Sequence, residues 1–279
     1  MSDFEIVGSD ILYARVHKLG AYVSQITFRG KQILKEAGDG YDLHGGMPIL
    51  IPYGDLVREA KYTFDGRVYH LPKNAASVGN YRDSIHGFVR SQEWTVFDRG
   101  DDFISMRTMV EDPGYPSRLL IEVKYSVVGQ KFGTAFNVHN IGRSSAPVVI
   151  GAHPYFVVSR PWTIHHSKDI EMLNYPDGIF PDGKTLQYSF NNRMDCSELA
   201  LDNTFVGGGT IKVESRHSTV IIDRHGMEYF EVYNGEYAGE RSVAIEPLTG
   251  SINAFNNGIG LRKLLPDETM ECGFSITFA

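Results

Sequence analysis

The chain has 279 residues, 42% of them hydrophobic and 22% charged, with a formal net charge of -7. That is an ordinary globular composition with length for a sizeable core, and the acidic balance without basic runs speaks against nucleic acid and acidic membrane surfaces as partners. No apolar run approaches the roughly 20 residues of a membrane helix, and the opening MSDFEIVGSD has neither the basic region nor the apolar core of a secretory signal.

The two cysteines, Cys196 and Cys272, have no metal-type or redox-type spacing and fit a reducing compartment. The expectation is a cytoplasmic protein. Strands are expected at 11–16, 21–28 and 31–34. Residues 39–55 then break up around Gly38, Gly40, Gly45, Gly46, Pro48, Pro52 and Gly54, which predicts a long loop over a sheet edge. Gly45-Gly46-Met47-Pro48 lacks a following Lys-Ser/Thr pair, so no phosphate loop is expected. Tyr62-Thr63-Phe64 and Val68-Tyr69-His70 flank Asp65-Gly66, a strong hairpin signal. Arg58 lies just before it. The polar stretch 77–84 leads into His86-Gly87-Phe88-Val89-Arg90, where the glycine allows close approach of backbone or ligand.

Strands dominate from 93 to 156. Over 118–128, Leu120, Glu122, Lys124 and Ser126 alternate with Ile121, Val123, Tyr125 and Val127, the pattern of a half-buried antiparallel strand. Pro147–Ile150 is an apolar strand that runs into Gly151-Ala152-His153-Pro154-Tyr155-Phe156. Residues 163–173 read as one strand whose adjacent His165 and His166 point to opposite faces and so cannot readily share a metal. Turn formers fill 175–185, and 191–199 reads as one short helix. Asp202-Asn203-Thr204-Phe205 precedes three glycines. Strands follow at 211–214, 220–223 and 229–233, and two more, at 261–265 and 271–278, close the chain.

The stretch 243–258, VAIEPLTGSINAFNNG, organises the rest. Val243-Ala244-Ile245 is an apolar strand, and the proline after Glu246 is expected to end it. A carboxylate at that place suits a general base, since burial raises its pKa towards working pH; it equally suits a strand-edge glutamate bonded to backbone. His153-Pro154 repeats this grammar, and its imidazole titrates near neutrality. Some fifteen short strands with almost no helix, no repeat and no linker predict an all-β chain, one large antiparallel β-sandwich over residues 1–279.

Together, the HGF core of residues 84–90, the AHPYF core of 151–156, the DNTF run at 202–205 and the IEPLTG and NAFN cores of 245–258 resemble the aldose 1-epimerase (galactose mutarotase) family, from about Ala14 to the C-terminus. The resemblance implies a galactose mutarotase-like supersandwich with a concave face for a monosaccharide, acting as monomer or homodimer. It implies interconversion of the α and β anomers of a free aldohexose without metal or organic cofactor. Glu246 would take the proton from the C1 hydroxyl, His153 would protonate the ring oxygen, and His86 would bind near both. Two strands far apart in the chain would bring Glu246 and His153 to opposite sides of the hemiacetal. Asp202 and Arg58 would hold sugar hydroxyls. The family's arginine follows an asparagine, but here the pair is Val57-Arg58. Arg58 and Arg90 could instead clamp a phosphate, as in relatives acting on hexose 6-phosphates. A sugar-binding module without chemistry, or a hydrolase using Glu246 with Asp202, are the further alternatives.

Overall fold

A computed structural model describes residues 4–36, 44–191 and 193–279. The chain is all-β, built from antiparallel sheets. Among the described residues no helix is long and apolar enough to cross a membrane. One eight-stranded sheet runs, in spatial order, through Thr95–Arg99, Phe103–Val110, Leu119–Val128, Lys131–Asn140, Thr269–Phe278, Thr219–His225, Ile211–Ser215 and Trp162–His166. The alternation expected at 118–128 is what makes this possible. Leu119, Ile121, Val123, Tyr125 and Val127 are buried, and the residues between them face outwards.

The second eight-stranded sheet carries the chemistry. Its path is Thr185–Tyr188, Ile170–Leu173, Asp202–Val206, Tyr229–Tyr233, Ser242–Leu248, Gly151–Ala152 and Ile49–Leu50, with Tyr155–Val157 also paired to Ser242–Leu248. One face joins the main core. Phe205 stacks on Phe230 at 5.2 Å and tilts against Phe190 at 5.0 Å, and Val232, Val243 and Ile245 lie in the same apolar cluster as Ile121 and Tyr125 of the first sheet. Burying each such side chain contributes about 1.5–3 kcal/mol. The other face carries Thr204, Glu231, Tyr233, Ala244 and Glu246. The Ser242–Leu248 strand is therefore buried at every position, covered on both sides.

The hairpin forms as its sequence demands: Lys61–Phe64 pairs with Arg67–His70, and Asp65 and Gly66 both take left-handed φ, 48° and 75°. Other expectations are corrected. The strand does not stop at Glu246 but runs through Pro247 to Leu248. Alternate residues point their N–H groups to the same edge, and that of Ile245 reaches Pro154. The same register sets Pro247 opposite Ala152, the last residue of Gly151–Ala152 before the ladder breaks at His153-Pro154, so the donor that Pro247 lacks is lost next to the break and not in mid-ladder. Residues 163–173 form two strands in different sheets, separated by a turn at Ser167-Lys168. The expected helix at 191–199 is a run of turns among its described residues, with Asp195 accepting from the backbone and hydroxyl of Ser197. The loop expected over 39–55 contains the Ile49–Leu50 strand, while Gly38 and Gly40 lie outside the described residues.

Candidate active site

Two ladder registers assemble the site. Tyr155 pairs with Ala244 and Gly151 with Leu248, and both pairs belong to one register that sets His153 across from Glu246. On the other edge Glu246 pairs with Glu231, and Glu231 pairs with Thr204. His153, Glu246, Glu231 and Thr204 thus form a row across four neighbouring segments of backbone. Thr249 holds the register between the His153 and Glu246 segments, because its Oγ1 accepts from the Ile150 N–H at 2.9 Å and its own N–H donates to the Ile150 carbonyl at 2.9 Å.

His153 Nε2 lies 3.0 Å from Glu246 Oε1, with both side chains buried. The two groups touch directly and do not stand a ring's width apart. Burial opposes both charges: it holds the imidazole down, to about 3, and raises the Glu246 carboxyl well above its usual range, helped by Asp55 and Asp202. Both shifts favour the neutral forms, in which the 3.0 Å contact is a hydrogen bond that a proton can cross. Moving that proton across 3.0 Å gives a carboxylate and an imidazolium side by side, a charge pair that costs far less than either charge alone.

His86 approaches from another part of the chain, its ring 5.5 Å from that of His153. Its φ is 61°, and its N–H donates to the Asp55 carbonyl at 3.0 Å. Gly87 follows with φ 69°, and a Cβ there would sit 2.0 Å from the Ile51 carbonyl oxygen. The glycine admits backbone, not ligand. Burial, with His153, Arg90 and His44 adding to it, keeps His86 neutral by lowering its pKa well below the usual value.

These groups line a cavity of about 300 Å³, wide enough for one sugar ring. His86, His153, Asp202 and Glu246 all face it, with Asp202 exposed at the rim. Tyr155 stacks on His153 at 4.4 Å, and His44 stacks on Tyr237 at 4.1 Å, giving the cavity aromatic walls. Arg58 and Arg90 do not line it. The Arg58 backbone N–H donates to Asn253 Oδ1 at 3.0 Å, but its guanidinium pairs with Asp177 and lies over Phe180 in an adjoining crevice. Arg90 sits behind the wall, close enough to His86 and Tyr53 to bias both electrostatically.

Asp55 and Glu231 also line the cavity. Asp55 is pushed up to about 8, by burial first and by Asp202 across the cavity second. In sequence it reads as a turn former after Gly54. Glu231 reads as the polar position of an alternating strand, Tyr229-Phe230-Glu231-Val232-Tyr233. Only its pairing with Glu246 could have singled it out.

Comparisons with known proteins give the family and the fold. The family profile for aldose 1-epimerase matches residues 5–277. The uncharacterized protein YihR of Escherichia coli K12 is 23% identical, with 95% of this chain and 89% of that protein covered. Among solved structures, the GalM/aldose epimerase homologue from C. elegans superposes with a TM-score of 0.85 at 18% identity, covering 100% of this chain and 99% of that one. A galactose mutarotase-like protein from Lactobacillus casei gives 0.82 at 15% identity, with 99% and 100% covered.

Proposed function

The chain belongs to the aldose 1-epimerase family, and from that premise we propose that it interconverts the α and β anomers of a free, uncharged aldose by acid–base opening of the ring. The observation that carries the reading is the 3.0 Å contact of His153 with Glu246 on the wall of a sugar-sized cavity. In its charge-separated form the pair is a base and an acid in one. Glu246 takes the proton of the C1 hydroxyl while the His153 imidazolium gives one to the ring oxygen. The C1–ring-oxygen bond breaks, C1 becomes an aldehyde, and no net charge is left on the sugar. The pair is then a carboxylic acid and a neutral imidazole, the form it already prefers when buried. Rotation about C1–C2 and the reverse proton transfers close the ring on the other face. His86, uncharged, supports the ring-oxygen end as a hydrogen-bonding group; Asp202, at the rim, suits a sugar hydroxyl.

The lining residues favour a neutral sugar over a phosphorylated one. Asp55, Asp202, Glu231 and Glu246 face the cavity, and among the described residues no lysine or arginine does. A phosphate dianion there would meet carboxyls and no guanidinium. The test is polarimetry on freshly dissolved α-D-glucose and α-D-galactose. The protein should speed the decay of optical rotation for one or both. Acceleration confined to glucose 6-phosphate would overturn the choice of a neutral sugar, and binding without acceleration would make the protein a carbohydrate-binding module.

A further inference from the structure

The reaction as derived uses Glu246 and His153 and leaves Glu231 without a task. Glu231 is buried and stands directly across the ladder from Glu246, on the same face. Cross-strand neighbours have Cβ atoms about 4.5–5.5 Å apart, so two ionised glutamates here would repel strongly. Among the described residues, the groups facing Glu231 are Asp55, Asp202, Glu246, Tyr175 and, two residues along the same face, Tyr233, none of them a cation, while His153 lies on the far side of Glu246. Among the described residues its neutral donor is Thr204 Oγ1, at 3.3 Å to Oε2, and that hydroxyl accepts in turn from Tyr175 Oη at 2.9 Å. Asp202 pairs with Tyr233 and Thr204 with Glu231, so Asp202 is the diagonal neighbour of Glu231 on the same face, and both carboxyls line the cavity. Ionised carboxylates only accept, so two carboxyls cannot bond unless one holds a proton. Of the two, Glu231 is buried and Asp202 is exposed at the rim, which puts the proton on Glu231.

We propose that Glu231 is a positioning residue that works as a neutral carboxylic acid: its proton bridges to Asp202, and Glu246 is left to exchange its own proton with His153 alone. The row then holds two separate dyads. Glu246–His153 moves a proton during the reaction. Glu231–Asp202 holds one still, orients the Asp202 carboxylate towards the sugar, and spares Glu246 a charged neighbour. This rests on the epimerase reading for its catalytic part, but not for the location of the proton. Burial and the neighbouring Asp55 and Glu246 carboxyls raise Glu231 well above the ordinary carboxyl range, in agreement with the geometry.

Two measurements test it. The first needs no substrate. A carboxyl that keeps its proton in the folded state, and releases it near the ordinary value when unfolded, binds more protons folded than unfolded over the intervening range. Its contribution to stability is full below the unfolded value and is lost as pH rises towards the folded one. From pH 6 to pH 9 the wild-type Tm should therefore fall by at least about 3 °C more than that of Glu231→Gln, which cannot titrate. Asp55 and Glu246 add slope to both proteins, and the part of their shift that a Glu231 charge causes is present in wild type alone and has the same sign, so it adds to the difference. Equal slopes overturn the proposal, whether or not any sugar is turned over. The second is kinetic. Glu231→Ala is expected to lower kcat/KM at pH 7 by about 10–100-fold, the loss of one charge-assisted hydrogen bond. Glu231→Gln keeps a donor of the same reach; it should recover most of that loss and show a weaker alkaline fall than wild type. A glutamine variant as impaired as the alanine variant would mean that the wild-type group acts as a charged acceptor, and would overturn the proposal.

Discussion

The His153–Glu246 contact makes a prediction about coupling that single substitutions cannot test. Glu246→Gln keeps the shape of a side chain that burial already holds neutral at rest, so it should fold with a stability change under about 1 kcal/mol. His153→Ala leaves a buried carboxyl without its 3.0 Å partner and should cost about 1–3 kcal/mol. A positioned acid or base contributes about 10²–10⁴-fold, so each variant should raise the barrier by about 2.7–5.4 kcal/mol at 1.36 kcal/mol per tenfold. Independent groups would multiply, giving about 10⁴–10⁸ for the double variant. Groups that pass one proton across 3.0 Å fail together, so the double variant should be no slower than the worse single one. The assay is the initial rate of optical-rotation change on a fresh anomer, corrected for the spontaneous reaction, with Tm measured on each variant to show that it is folded. Multiplicative losses would mean that the two groups act on the sugar independently and would refute the shared-proton pair. A folded single variant with the wild-type rate would remove that residue from the chemistry.

Two further outcomes follow from the surrounding structure. Gly87→Ala should destabilise by more than about 2 kcal/mol, since it combines a left-handed backbone with a Cβ 2.0 Å from the Ile51 carbonyl oxygen, and any folded fraction should have lost activity because His86 is displaced; a chemical-denaturation midpoint equal to wild type would refute this. Arg58→Ala should change kcat/KM by less than about threefold and stability by less than about 1 kcal/mol, because the guanidinium is half-exposed and engaged with Asp177 outside the cavity; a large rise in KM would show that the side chain swings in to meet the sugar.

Much of the fold is legible in local pattern. Period-2 alternation over 118–128 and 271–278, the Asp-Gly hairpin and the scarcity of helical periodicity are short-range signals, and short-range sterics and burial enforce them. The repeated grammar of His153-Pro154 and Glu246-Pro247 was legible too. Its meaning was not: Pro154 lies in a break of the ladder, Pro247 stands opposite the residue just before that break, and the two titratable groups are cross-strand neighbours. Where a helix was expected at 191–199, side-chain bonds such as Asp195 to Ser197 compete with the helical pattern and win.

The sequence by itself determined which residue types are present to move protons, and that they stand on strands of an antiparallel fold. Tertiary structure decided who their neighbours are. Register set Glu231 beside Glu246, although fifteen residues along one chain say nothing of a shared face until the hairpin that joins them is closed. An aspartate far along the chain, Asp177, drew the Arg58 guanidinium out of the site. Burial lowers the pKa of His86 and His153 and raises that of Glu231 and Glu246, because the cost of a charge depends on the dielectric and the charges around it, and both belong to the packed molecule.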